Sequence, residues 1–143
     1  MKIEILSFEG NLFKSDTVES VNANTKIGAI TILNGHTPLV TVLNPSILSI
    51  VYINELGEKE EKDFAIGSGV LEVSNSEVKV LIDMLVTVDT LDTEKAEKAK
   101  KDAIELMEKY KHSKDKIDMD KFIEAEDLLL KSVTQLKLGD LGK

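Results

Sequence analysis

The hydrophobic period of the chain changes once, after Asp89. Before that point apolar residues come in short runs with a period near two, punctuated by Gly, Asn and Ser. After it, Ala96, Ala99, Ala103, Met107 and Tyr110 recur with a period of about three and a half. A period of two puts side chains on alternate faces of a strand, whereas the longer period lines them along one stripe of a helix. The first part therefore reads as an antiparallel sandwich or barrel of short strands, and the second as helices.

Within the first part, strands are expected over Lys2–Phe8, within Asn11–Ser20, and over Ile47–Ile53, Glu58–Ile66, Gly67–Val73 and Val78–Ile82. Asn54–Gly57 is the turn of a hairpin candidate and Ser74–Ser76 a further turn. The central stretch Ile27–Leu43 carries Asn34-Gly35 between two apolar runs, a pairing that predicts another hairpin because both residues tolerate positive φ. Pro38 fixes φ and removes a donor, so a sheet edge or a strand start is expected there.

In the second part Asp92 caps a helix whose remaining positions to Lys111 are mainly Lys and Glu, a solvated face with i,i+4 pairs. After the polar link His112–Lys116, Asp118 is expected to cap a second helix with Phe122, Ala125, Leu129, Val133 and Leu136 on its buried face. The alanine stripe of the first helix admits the leucines of the second, which makes an antiparallel hairpin. Gly139, Gly142 and Lys143 are expected to form a frayed end.

Charge and composition exclude several functions. A net charge of −8 argues against general nucleic-acid binding and against simple attraction to an anionic membrane. All 18 basic residues are lysine, so the bidentate anion recognition of arginine is missing. There is no cysteine for a disulfide, a thiolate metal site or a nucleophile. No apolar run has the length of a membrane span and the N-terminus lacks the shape of a signal peptide, so a cytosolic chain that reaches a membrane only through a partner is expected.

No reactive constellation stands out. His36 has one histidine companion, His112, in the other predicted part, and no motif places a nucleophile, so His36 is read as a turn or interface residue. Gly67-Ser68-Gly69 leads into a strand and not a helix, so it lacks the oriented amides of a phosphate loop. Asp83 and Asp92 are too isolated for a metal site; no metal and no cofactor are expected.

Gly35-His36-Thr37-Pro38-Leu39-Val40 behind Ile27-Gly28 resembles a signature of the epsilon subunit of F-type ATP synthases. Gly67-Ser68-Gly69-Val70-Leu71-Glu72-Val73, Val78-Lys79-Val80-Leu81-Ile82-Asp83 and Leu91-Asp92-Thr93-Glu94-Lys95-Ala96 are similar to three further runs of that family, in the same order. The resemblance covers nearly the whole chain. It implies an N-terminal antiparallel β-sandwich over 1–88 and a C-terminal two-helix antiparallel hairpin over 89–143.

The resemblance further implies a noncatalytic subunit of the rotary motor, peripheral on the cytoplasmic face of the cell membrane. The sandwich would touch the gamma subunit and the ring of c subunits, with Asn24, Lys26, Asn34 and His36 on the end facing the ring; Lys26 stands where the family often has an acidic residue. The hairpin, packed through Ala96, Ala99, Ala103, Phe122, Leu129 and Val133, would fold down or extend towards the alpha and beta subunits and restrain hydrolysis. Family members that bind ATP use arginines; here the motif arginine is Lys95 and the acidic position falls on Val86, so Asp92 and Lys95 are the only nucleotide candidates and no site is expected. The reading that competes, from a different class, is a stand-alone β-sandwich binding module dimerising through its hairpin. A small hydrolase using His36 and Asp83 is a third.

Overall fold

A computed structural model describes residues 1–141 of the 143. Ten strands precede two helices: β1 (Lys2–Ser7), β2 (Gly10–Ser15), β3 (Val18–Thr25), β4 (Gly28–Leu33), β5 (Leu39–Leu43), β6 (Ser46–Ile53), β7 (Lys59–Ile66), β8 (Gly69–Ser74), β9 (Glu77–Ile82), β10 (Leu85–Val86), α1 (Thr93–Tyr110) and α2 (Lys116–Leu141). The strands form two layers, β4-β3-β6-β7-β10 and β5-β8-β9-β1-β2, hydrogen-bonded to each other at one corner where Thr25 of β3 pairs with Leu43 of β5. All ladders are antiparallel except β1 with β9. Between the layers lie Ile3, Ile5, Val21, Ile32, Leu48, Ile50, Phe64, Ile66, Leu71, Val78 and Val80, the alternate residues that the period of two directs inward.

Of the two expected hairpins one forms, and the turn at Ser74–Ser76 closes another. β6 pairs with β7 through the turn at Asn54–Gly57, where Gly57 has φ 79° and donates to the Asn54 carbonyl at 3.0 Å. β8 pairs with β9 through Asn75 and Ser76, both at positive φ (51° and 62°), the pattern of a type I′ turn.

The hairpin expected at Asn34-Gly35 does not form. β4 pairs with β3, and β5 with β8. A type I′ turn needs positive φ at both central residues, but only Gly35 has it (85°), and the turn is closed by His36 N donating to the Leu33 carbonyl at 3.1 Å. Such a turn splays its flanks, and Pro38 has no donor with which to restart a ladder. The loop accordingly carries the chain from one layer to the other, with β5 starting directly after Pro38.

Asp92 caps α1 as expected, its Oδ1 accepting from Lys95 N at 3.1 Å. Asp118 does not cap α2. The helix starts two residues earlier, Asp115 Oδ1 accepts from Ile117 N at 2.9 Å, and Asp118 takes a bond from Ser113 Oγ at 2.8 Å. The Ser113 hydroxyl also accepts from Asp115 N at 3.2 Å, so it ties the link that leads into the helix. Gly139 is helical and not frayed, and a Cβ there would come within 3.1 Å of Leu91 Cδ2; Gly142 and Lys143 lie outside the described residues.

Candidate functional site

Two surfaces of the sandwich differ in kind. On the outer face of the first layer, α2 lies along β6 and β7. Ala65 shows what this does: it points away from the core that its neighbours Phe64 and Ile66 occupy, yet it has no exposed surface. Leu138 of α2 is likewise fully buried. The hairpin thus sits folded down on the sandwich, with α1 packed on the far side of α2. Ala96, Ala103 and Ala125 are buried, and Ala99, Phe122, Leu129 and Val133 are half-buried. Ser132 and Thr134 also become buried without cost to hydrogen bonding, because their hydroxyls donate back to the Leu128 and Leu130 carbonyls at 2.8 and 2.7 Å.

The seam between α2 and the sandwich contains a polar cluster. Lys131 Nζ donates to Asp83 Oδ2 at 2.9 Å and to Asp127 Oδ2 at 3.0 Å. Ser68 Oγ donates to Asp127 Oδ1 at 3.5 Å, and Gln135 Nε2 to Met84 Sδ at 3.3 Å. Burial by itself would lower the Lys131 pKa, but the hydrogen bonds to Asp83 and Asp127, together with their charges, outweigh it and hold the ammonium above its ordinary value.

The outer face of the second layer has no such cover. Val42, Val70, Leu81 and Leu6 stand opposite one another on β5, β8, β9 and β1, a row across four strands. Val42, Val70 and Leu81 are 45, 41 and 48 % exposed. The neighbouring row on the same face is Val40, Glu72, Lys79, Glu4 and Lys14, largely a ladder of alternating charge, with Val40 70 % exposed. An apolar row bordered by charges is the anatomy of a protein-binding surface and not of a catalytic cleft.

The four residues expected at one end are not together. Asn24 and Lys26 flank the β3–β4 turn, which the Thr25 hydroxyl ties by donating to the Gly28 carbonyl at 2.8 Å. Asn34 and His36 follow the other end of β4, about 20 Å away for a strand of this length. The single-end grouping is thereby corrected. The cause is β4 itself: all six of its extended residues lie between the two pairs, so they fall at opposite ends of the layer. His36 Nδ1 donates to the Thr37 carbonyl at 2.7 Å, and Asp83, at the end of the sandwich opposite His36, is engaged by Lys131. A His36–Asp83 dyad is therefore not formed. Among the described residues no group of three or more His, Asp or Glu side chains is placed to hold a metal ion, and no helix is long and apolar enough to cross a membrane.

The sandwich with its parallel β1–β9 contact, followed by two folded-down helices, prompts comparison with known proteins. Residues 1–88 match the family described as ATP synthase, Delta/Epsilon chain, beta-sandwich domain. The chain belongs to this family. It is 40% identical over 86 residues to ATP synthase epsilon chain 1 of Thiobacillus denitrificans, covering 59% of this chain and 57% of that one. It is 37% identical over 84 residues to the ATP synthase epsilon chain of Clostridium kluyveri (59% and 60%), and 39% over 91 residues to that of Hydrogenovibrio crunogenus (64% and 59%). The matched part thus spans less than two thirds of these relatives. Of solved structures, a chain of the Euglena gracilis mitochondrial ATP synthase (OSCP/F1/c-ring) superposes with a TM-score of 0.73 at 24% identity, covering 94% of this chain and 78% of that one. A chain of the Tetrahymena thermophila central stalk and c-ring gives 0.65 at 14% identity, covering 97% and 96%. At these identities the structural likeness concerns the fold, which includes the helical part beyond the family match at residues 1–88.

Sequence reasoning missed two features of this delta/epsilon-family chain. The exposed row on the second layer was visible as runs that are apolar at both phases of the alternation, Leu39–Leu43 and Val80–Ile82, which ask for cover on both faces. The Lys131–Asp83 contact had no local signal, because 48 residues separate its partners.

Proposed function

We propose that this chain is a noncatalytic epsilon-type subunit of the central stalk of an F-type ATP synthase, a rotor part that helps couple ion movement through the c ring to ATP synthesis. It would lie peripherally at the cytoplasmic face of the cell membrane. Residues 1–88 are its binding part and 89–143 its movable part. The observation that carries the reading is the asymmetry of the sandwich: the outer face of the first layer is covered by the chain's own helix, while the apolar row Val42, Val70, Leu81 and Leu6 on the second is open. In this reading the gamma subunit of the stalk covers it; the assemblies that hold the structural relatives, a c-ring complex and a central stalk, are consistent with a stalk partner.

The loops are the remaining contacts in this reading. Because Lys26 and His36 lie at opposite ends of β4, one of the two pairs faces the c ring and the other faces away from it. The test is copurification: an affinity-tagged chain should bring down gamma and the c ring from its own membranes. Recovery of the chain as a homodimer without gamma would instead support a self-associating binding module.

A further inference from the structure

We infer that Lys131 acts as a charge clasp that sets how often the helical hairpin leaves the sandwich. For its meaning in a motor the inference rests on the stalk reading above; the equilibrium itself belongs to the isolated chain. Of the two carboxylates that Lys131 bridges, Asp127 is one turn away on the same helix and moves with it. That bond is present whether the hairpin is down or released, so it cannot bias the equilibrium. Asp83 follows β9 and meets Lys131 only when the hairpin is down. Among the described residues it is the single ion pair joining the helices to the sandwich.

The sign of the interaction depends on the lysine. With Lys131 present, closure puts an ammonium between two carboxylates. Without it, closure brings Asp83 towards Asp127 with nothing between them, and the same seam becomes repulsive. The site is shaped for this contact as well as charged for it. A Cβ at Gly67 would overlap the Asp83 carboxylate and come within 3.0 Å of Lys131 Cε, so glycine leaves the space in which the two meet. The side chains are 21 and 39 % exposed, which lets dissolved ions reach the pair and makes release depend on ionic strength.

The chain has no cysteine, so one pair of introduced cysteines, Lys79→Cys on the sandwich and Glu124→Cys on α2, reports the distance between the parts by fluorescence transfer in the full-length protein. Raising salt from about 0.05 to 0.5 M should increase the open fraction in the otherwise natural chain. Lys131→Met should raise that fraction about threefold to tenfold, and Lys131→Glu further, since a hydrogen bond to a charged group is lost and a repulsion gained. The exchange of charges, Lys131→Asp with Asp83→Lys, should restore closure. A packing role alone would leave Lys131→Met closed and the exchange no better than its single variants; either result overturns the clasp. Failure to bind gamma would overturn the stalk reading and leave this distance measurement unaffected.

Discussion

Phe64 and Ala65 are adjacent in β7 and point to opposite faces of its layer, yet neither has appreciable exposed surface. Phe64 is buried by the second layer and Ala65 by α2. The same strand therefore reports on two separable associations. Phe64→Ala should cost about 3 to 5 kcal/mol, as large-to-small changes in a core do, and lower the melting temperature of the sandwich. Ala65→Glu puts a charge under α2 without touching the core, so it should release the hairpin and leave the sandwich folded. Limited proteolysis in the 87–92 connection, together with thermal melts of both variants, checks this; a sandwich unfolded by Ala65→Glu would contradict the separation.

The helix caps give a second test. Asp92→Ala and Asp115→Ala each remove a side-chain acceptor from a helix start and should cost about 1 kcal/mol each. Asp118→Ala, which loses only the Ser113 bond, should cost less than Asp115→Ala. Helicity and melting of the three variants by circular dichroism decide the order.

These caps mark how far the sequence could be read. Periodicity placed the change from strands to helices, and Asp92 was legible because its acceptor serves an amide three residues away. Asp115 was not legible as a cap, because the hydrogen bonds of the Ser113 hydroxyl that order the link depend on how it folds between two packed helices. The same holds for Asn34-Gly35. The dipeptide does make a turn, but whether a turn pairs its flanking strands is settled by which partners those strands find elsewhere: β3 for one and β8 for the other. Of the interface candidates, the loop positions of Asn24, Lys26, Asn34 and His36 were legible, and their separation follows from the one extended run, Gly28–Leu33, that lies between them.

Alkaline pH should loosen the structure at two places. Tyr52 has a raised pKa, first from burial and then from the charge and hydrogen bond of Glu60; Lys131 is raised for the reasons given above. For both groups the folded chain holds its proton more tightly than the unfolded chain. The stabilisation is therefore complete below about pH 10 and is lost as the pH rises through the folded-state values. Denaturant midpoints measured from pH 9 to 11.5 should fall over the upper part of that range, and Lys131→Met should fall less steeply.

Nucleotide binding should be absent at micromolar levels. The Asp92 carboxylate is committed to the Lys95 amide, Lys95 offers a point charge and no arginine exists to supply a fork. Losing two bidentate contacts of about 1.5 to 3 kcal/mol each weakens binding by roughly two decades or more. Titration calorimetry of the chain with ATP should show no heat from a micromolar site, and a saturating isotherm there would refute the expectation.

The central claim is that the open row on the second layer is the surface by which the chain joins the rotor. Val70→Lys, alone and with Leu81→Glu, places charges in the middle of that row while leaving the inward residues Leu71, Val80 and Ile82 untouched. The direct measurement is the affinity of purified gamma subunit for the chain and for these variants, with melting temperatures as the control on folding. The account predicts a complex with the natural chain and, for unchanged melting temperature, at least about a tenfold loss for Val70→Lys, a burial term of roughly 1.4 kcal/mol. Equal affinity of the variants, or no complex with the natural chain, would contradict it.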